Sequence, residues 1–299
     1  MTDPQSNNYK WFVLAILTVV YAFNFIDRQI LVILQEPIKA ELGLSDTQLG
    51  LITGFSFAVV YVTAGIPIAW LADRSNRRNI VAVSLGIWSV MTALSGIVQN
   101  YTQLLLARLG VGLGEAGGSP PSHSMLSDYF PEEQRGTALS IYTTGIYLGI
   151  FFGYFAGGWI ADTYGWRNAF FIVGIPGVVL AFLLLLLVRE PPRTVLPNAV
   201  ENEKASFKET IVFLLQRPAF WWIALGCSTA SFVGYGNGNF FPSLLIRNYG
   251  LTVTEVGMFM GVISGSTGML GTFLGGYLAD RWGKRDKRWY VRIALWGLI

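Results

Sequence analysis

Eight apolar runs, each long enough to cross a bilayer as a helix, follow one another along this 299-residue chain. Their approximate limits are 11–35, 47–71, 79–98, 101–126, 136–161, 167–188, 218–246 and 253–279, and a ninth begins near Trp289. At about 1.5 Å rise per residue, each complete run can cross about 30 Å of hydrocarbon. Lipid offers the backbone no hydrogen bonds, so runs of this kind are read as transmembrane helices. Composition agrees, with 53% hydrophobic and 13% charged residues against about a quarter charged in soluble domains. Mean hydropathy is +0.48. These values exclude disorder, a nucleic-acid binder with a basic face and a soluble enzyme. One cysteine, Cys227, permits no internal disulfide, and one histidine, His123, removes histidine-based metal sites and most catalytic triads. The first run is too long for a cleavable signal, carries Asp27 and Arg28, and is followed by no small-residue cleavage site.

Basic residues set the orientation. With loops assigned alternately to two sides, one side collects Lys10, Arg74, Arg77, Arg78, Arg135, Arg189, Arg193, Lys204, Lys208 and Arg217, together with the six from Arg281 to Arg292. The other side holds only Lys39, Arg167 and Arg247, and Arg28 and Arg108 fall within spans. The positive-inside rule then places the N-terminus in the cytoplasm. The one long hydrophilic stretch, 189–217, lies on that side. It opens with Pro191, Pro192 and Pro197 and continues as an expected amphipathic helix over Ser206–Gln216, with Phe207, Ile211, Leu214 and Leu215 on one face. Three domains are expected: a six-helix bundle (1–188), a cytoplasmic linker (189–217), and spans seven, eight and the beginning of nine of a second bundle (218–299).

The second bundle repeats the first. Gly43-Leu44-Ser45-Asp46-Thr47-Gln48-Leu49-Gly50 matches Gly250-Leu251-Thr252-Val253-Thr254-Glu255-Val256-Gly257 at an offset of 207. Leu71-Ala72-Asp73-Arg74-Ser75-Asn76-Arg77-Arg78 matches Leu278-Ala279-Asp280-Arg281-Trp282-Gly283-Lys284-Arg285 at the same offset, as Gly54 matches Gly261. Six spans separate the copies, so both keep the same side in, which makes this a parallel repeat. By the same offset Ile299 corresponds to Thr92, and the second repeat is expected to be truncated within its ninth span, three spans short.

Charges at hydrocarbon depth need partners or water. Asp27 lies about seven residues from the outer end of span one, and Arg108 about as far from the outer start of span four, roughly 10 Å down in each case. Equal depth allows an Asp27–Arg108 ion pair. Glu115 lies seven residues beyond Arg108, hence on the same helix face and near the midplane. Arg28 points about 100° away from Asp27. In span seven, Gly234-Tyr235-Gly236-Asn237-Gly238-Asn239-Phe240-Phe241-Pro242 is expected to break the helix beside a cavity, with Tyr235, Asn237 and Asn239 as substrate contacts. The glycines of span five, Gly145, Gly149, Gly153 and Gly157, repeat every four residues, a close-packing face.

The doubled loop motif, Asp73-Arg74-x-x-Arg77-Arg78 and Asp280-Arg281-x-Gly283-Lys284-Arg285, resembles the signature of the major facilitator superfamily after its second and eighth helices. Ala69 and Asn76 stand where the first copy of that signature has glycines. Arg108-x-x-x-Gly112, and Asp128-x-x-Pro131-x-x-x-Arg135-Gly136, resemble the superfamily's helix-four and following-loop motifs. Asn24-Phe25-Ile26-Asp27-Arg28, Leu44-Ser45-Asp46-Thr47-Gln48-Leu49-Gly50, and Gly114-Glu115-Ala116 with Pro120-Pro121 are similar to the Spinster family.

This resemblance implies an all-α polytopic membrane protein with the superfamily fold, two parallel six-helix repeats, the second cut short here. It implies a proton-coupled secondary transporter working by alternating access, with helices one and four lining a central cavity. Asp27, Arg28, Arg108 and Glu115 are then candidates for proton coupling and substrate binding. Asp73, Arg74, Arg77, Arg78, Asp128, Arg135, Asp280, Arg281, Lys284 and Arg285 are candidates for a cytoplasmic gate, with Asp280 expected at the start of helix five near Arg135. The implied cargo is an amphipathic lipid or lysolipid; a small organic anion or sugar acid is the alternative, and a transport-inactive receptor or sensor is the reading from another class. Membrane lipids, the substrate and protons are the expected partners of a monomer in the cell inner membrane, with no nucleic acid, metal or cofactor. A chain three spans short is not expected to be the transport-competent unit.

Overall fold

The structure, a computed structural model, describes residues 7–193 and 212–297. All regular structure among them is helical. The helices are α1 (Asn7–Ile33), α2 (Gln35–Leu42), α3 (Asp46–Gly50), α4 (Ser56–Ala72), α5 (Arg77–Ser95), α6 (Tyr101–Glu115), α7 (Ser119–Tyr129), α8 (Glu132–Tyr164), α9 (Trp166–Leu187), α10 (Pro218–Tyr249), α11 (Val253–Gly283) and α12 (Trp289–Trp296). Six helical stretches among them are long and apolar enough to cross a membrane. The fourth and seventh expected spans are the α6–α7 pair and α10. Residues 194–211 lie outside the description, and with them most of the amphipathic linker helix; residues 212–215 are helical.

The repeat extends to the backbone. Gly43 and Gly250 both end a helix in the left-handed conformation, at φ 64° and 67°, where a Cβ would be strained. Two residues on, Ser45 and Thr252 each cap the next helix. Their side chains accept from the third backbone N–H, and Gln48 and Glu255 answer with the reciprocal bond. Span two carries a feature its copy lacks, a π-helical turn at Leu51–Phe55 that re-aims the residues beyond it. Asn76, where the superfamily signature has glycine, is the N-cap of α5: its side chain accepts from Asn79 N at 3.0 Å.

Proline chemistry explains two departures from the expected spans. Span four is interrupted after Glu115, because Pro120 and Pro121 offer no N–H to the carbonyls four residues back. The helix restarts at Ser119 with proline in its first turn. The expected break in span seven is absent: α10 runs unbroken with Pro242 inside it. The carbonyl that Pro242 leaves free is that of Gly238, and the Tyr154 hydroxyl donates to it at 3.4 Å. Gln35 Nε2 donates to the neighbouring Asn239 carbonyl at 2.6 Å. Neighbouring helices thus supply what the proline removes.

Helix α8 binds α1 on one face and α11 on another. A Cβ on Gly145 would lie 2.6 Å from the Thr18 carbonyl, and one on Gly149 would strike the Ala22 carbonyl. On the other face, Gly257 of α11 sits against the Tyr154 carbonyl. Small residues let these backbones approach, where dispersion between packed helices replaces the hydrophobic effect.

Two apolar cores form, one at each end of the bundle. The core at the Gly43 and Gly250 end includes Ile30, Leu34, Ile38, Leu49, Phe170 and, from α11, Val256. The core at the Arg77 end, around Leu17, Leu85, Met125, Phe130 and Tyr142, draws all its described members from the first six spans. Among the described residues, the two halves therefore share a buried core at the Gly43 and Gly250 end.

Gly149→Leu should destabilise the protein by about 1–3 kcal/mol through overpacking against α1. Gly226→Leu, where no described atom lies within 4 Å, should leave the melting midpoint in detergent unchanged. Equal midpoints for the two variants would contradict the packing described.

Candidate functional site

Four charged side chains from two helices meet inside the bundle. Asp27 and Arg108 are 1% and 2% exposed, and Glu115 is 1% exposed. Asp27 Oδ2 accepts from Arg108 Nη1 at 3.0 Å, the pair that equal depth suggested. Its other oxygen accepts from the Thr92 hydroxyl of α5. Glu115 Oε2 accepts from Arg28 Nε at 2.6 Å, a second pair that sequence spacing did not anticipate. Helical side chains lean towards their own N-terminus. The long Arg28 side chain therefore reaches back down α1 to the deeper Glu115, while its neighbour Asp27 meets Arg108.

Rings enclose the two guanidinium groups. Arg28 lies 5.1 Å from the Phe25 ring centroid, 5.0 Å from Phe57 and 5.2 Å from Tyr61. Arg108 lies 5.8 Å from the same Phe57 ring. Phe57 and Tyr61 follow the π-helical turn of span two. Ring faces hold cations without neutralising them. Both guanidinium groups thus share the Phe57 ring, and the two ion pairs form one cluster. Tyr235 of α10 is 60% exposed and its hydroxyl acts electrostatically on Arg28. Asn237 is exposed, and Asn239 is half-buried and meets α1 through its backbone carbonyl. Thr92, Phe57 and Tyr61 were missed in the sequence. For Thr92 a signal existed, since Ser84, Ser89, Thr92 and Ser95 are all buried polar residues of α5.

At the Arg77 end, the loop motif is held by the start of the linker. Arg77 is 2% exposed. It pairs with Asp128 at 2.5 Å and Glu190 at 2.6 Å, and donates to Ser124 and the Pro191 carbonyl. Glu190 also accepts from the Arg78 backbone N–H at 2.8 Å, and Arg193 donates to the carbonyls of Ala72, Asp73 and Ser75. Arg135 donates to the Ser127 and Phe130 carbonyls. The contacts described for Arg74 and Arg281 stay on their own helices, with Trp70 and Tyr277. Asp73, Lys284 and Arg285 are exposed, and the Asp280 side chain lies outside the description. Of the ten expected gate residues, the structure thus gathers Arg77, Arg78 and Asp128 about Glu190, which the sequence reading left out.

The opposite end is clasped between the two halves. Arg247 of α10 pairs with Glu36 at 2.7 Å and Asp46 at 2.6 Å, and Asp46 also receives Lys39. Asp162 at the end of α8 accepts from Thr254 N at 2.7 Å, an anion at the positive start of α11. Nearby, hydrogen bonds from Arg167 and Trp166 hold the Glu41 carboxyl below the usual carboxylate range.

The family profile of the Major Facilitator Superfamily matches residues 17–299. The chain belongs to the major facilitator superfamily. It is 38% identical to an MFS-type efflux pump of Mycolicibacterium smegmatis over 98% of this chain and 68% of that protein. A crystal structure of a bacterial homologue of the human lysosomal transporter Spinster, inward-facing and unoccupied, superposes with a TM-score of 0.84 at 37% identity. The match covers 94% of this chain and 64% of that one. A probable galactarate/D-glucarate transporter of Bacillus subtilis is 27% identical over 92% of this chain and 66% of its own length. The chain thus spans about two thirds of the length of these relatives. It is a Spinster-like member of the superfamily and an integral membrane protein, and its relatives are transporters rather than enzymes.

Removing one partner of a buried ion pair leaves an uncompensated charge. Arg108→Met should therefore cost about 3–5 kcal/mol, and Asp27→Asn combined with Arg108→Met clearly less than the sum of the single changes. Unfolding of the variants in detergent measures both; additive costs would mean that the two side chains do not depend on each other.

Proposed function

We propose that this protein belongs to a proton-coupled, alternating-access transporter whose coupling site is the Asp27–Arg108 and Arg28–Glu115 cluster. The observation that carries this reading is two carboxylates and two arginines joined in ion pairs inside the bundle, three of the four nearly inaccessible. With Glu115 ionised, Arg28 is occupied. A proton on Glu115 removes the charge that holds Arg28, which can then take an anionic group of the cargo. Proton and cargo so favour each other's binding, and the coupling is reciprocal.

An amphipathic lipid or lysolipid fits the site. Its anionic headgroup would meet Arg28, and its chain would lie along the rings of Phe25, Phe57 and Tyr61. The Spinster likeness supports this cargo. The Bacillus subtilis relative supports the second reading, a small organic anion or sugar acid, since a carboxylate serves Arg28 as well as a phosphate does.

The distribution of basic residues supports a cytoplasmic N-terminus in an inner membrane. On that orientation the Arg247 clasp is outer and the Arg77 cluster cytoplasmic. A shared core and an ion-pair clasp joining the two halves at the outer end support an inward-facing arrangement. The proposed organisation is the bundle 1–188, the linker 189–217 and the second bundle from 218. Outward opening would break the Arg247 pairs while the loop motif closes the cytoplasmic side.

Flux into proteoliposomes of the full-length transporter, all spans of both repeats present and driven by a proton gradient, tests this. A panel of lysophospholipids, sphingolipids and sugar acids finds the cargo. Glu115→Gln and Asp27→Asn should each abolish gradient-driven flux while leaving expression intact. Full gradient-driven flux in both variants would overturn the coupling role. Ligand binding without flux in the wild type would favour a sensor.

A further inference from the structure

The coupling reading leaves open how a proton reaches a carboxyl buried to 1% exposure, and a small cavity beside it answers. Among the described residues, the second oxygen of Glu115, Oε1, has no hydrogen-bond partner, and neither does Asn24 Oδ1. Asn24 is 4% exposed. Both residues line the same cavity of about 10 Å³, the size of a single water site. Its remaining polar lining comes from Tyr21, Tyr61, Ser119 and Tyr142. Asn24 lies one turn before Asp27 and Arg28, and so on their side of α1.

Two unpartnered acceptors on residues that line one small space can be met together by a donor with two hydrogens, and each acceptor left unmet costs its desolvation. Water is such a donor. Its own lone pairs can accept from the hydroxyl groups of the lining. We propose that Asn24 and Glu115 hold a single water molecule between them, and that this water delivers the proton to Glu115. The proposal rests on the coupling reading above and adds Asn24 to it as a positioning residue.

The transfer is a simple relay. The water passes one of its protons to Glu115 Oε1, converting carboxylate to carboxylic acid, and at the same time accepts one from a neighbouring hydroxyl group, which is itself reprotonated from hydronium in bulk water; one bulk proton is consumed and the water and hydroxyl end as they began. Neighbouring elements set the direction. Helix α7 starts at the cavity with Ser119 and carries Ser122 and His123 towards the Arg77 end. The His123 ring lies edge-on to Tyr142 at 5.0 Å, and Tyr142 stacks on Tyr21 at 4.4 Å. The charged groups facing Glu115 are Asp27 and Arg28 from α1 and Arg108 from its own helix. Tyr61 faces the cavity from α4, and Tyr235 looks on from α10. None of these supplies both acceptors with a hydrogen, and Asn24 alone brings a second orphaned oxygen to the space.

Infrared difference spectroscopy on the protein in lipid nanodiscs, titrated between about pH 4 and 9, tests this directly. A carboxyl band that titrates in the wild type and is lost in Glu115→Gln reports protonation of Glu115. An O–H stretching band that shifts in H₂¹⁸O should accompany that titration, disappear in Asn24→Leu and persist in Asn24→Thr, which keeps a polar partner. A Glu115 band without an accompanying water band in the wild type would overturn the water site and leave the coupling reading standing. Indifference of the water band to Asn24→Leu would equally overturn the role of Asn24. Absence of any Glu115 band would overturn the coupling reading and this proposal with it.

Discussion

A charge inside a membrane protein is tolerable only when another charge, a ring face or water stands against it. That constraint organises the centre of this molecule. Asp27 and Glu115 are nearly inaccessible, yet each has an arginine at hydrogen-bonding distance. The partners come from α1 and α6, and Thr92 adds a donor from α5. Phe57 and Tyr61 close the cluster from α4, placed there after a π-helical turn. Four spans are thus positioned by the need to neutralise four side chains. The glycine face of α8 then brings a fifth span close enough to α1 to enclose them.

The halves of the chain meet under a different rule. They pack along α8 and α11 from Gly158 and Gly257 to Tyr147 and Gly268, and at the end bearing Gly43 and Gly250 apolar packing through Val256 is joined by Arg247, Glu36 and Asp46. These ion pairs are partly exposed and individually weak. A clasp of weak, solvent-reachable pairs can open without a large cost, whereas the buried pairs at the centre cannot separate unless a proton or another charge intervenes. The same division appears at the Arg77 end, where Arg77 is buried among Asp128 and Glu190 while Arg74 and Arg281 remain exposed. Firmly held charges fix each half, and loosely held ones lie where the halves would meet.

Much of this was legible in the sequence because membrane folding makes depth and periodicity readable. The offset of 207 between the repeats extends to the left-handed glycines and to the reciprocal caps at Ser45 and Thr252. Counting residues from span ends located Asp27 opposite Arg108. The Arg28–Glu115 pair escaped, because a four-bond side chain reaches further than its position on the helix indicates. The helix break expected before Pro242 failed for a related reason: the compensating donors, Tyr154 and Gln35, come from other helices. The Arg247 clasp and the part of Glu190 were equally illegible, since a surface charge can choose among several distant partners and only the assembled fold selects one.

The most direct measurement is the spacing of the two halves as a function of charge at Glu115. In a Cys227→Ser background, spin labels at Asn100→Cys and Tyr249→Cys report one end, and labels at Asn79→Cys and Lys284→Cys the other. Electron-resonance distance distributions should shift in opposite senses at the two ends when Glu115 is replaced by glutamine, because the variant mimics the protonated carboxyl that the proposed coupling links to alternation. Distributions unchanged at both ends, in a folded variant, would show that the buried charges do not govern how the halves stand relative to each other.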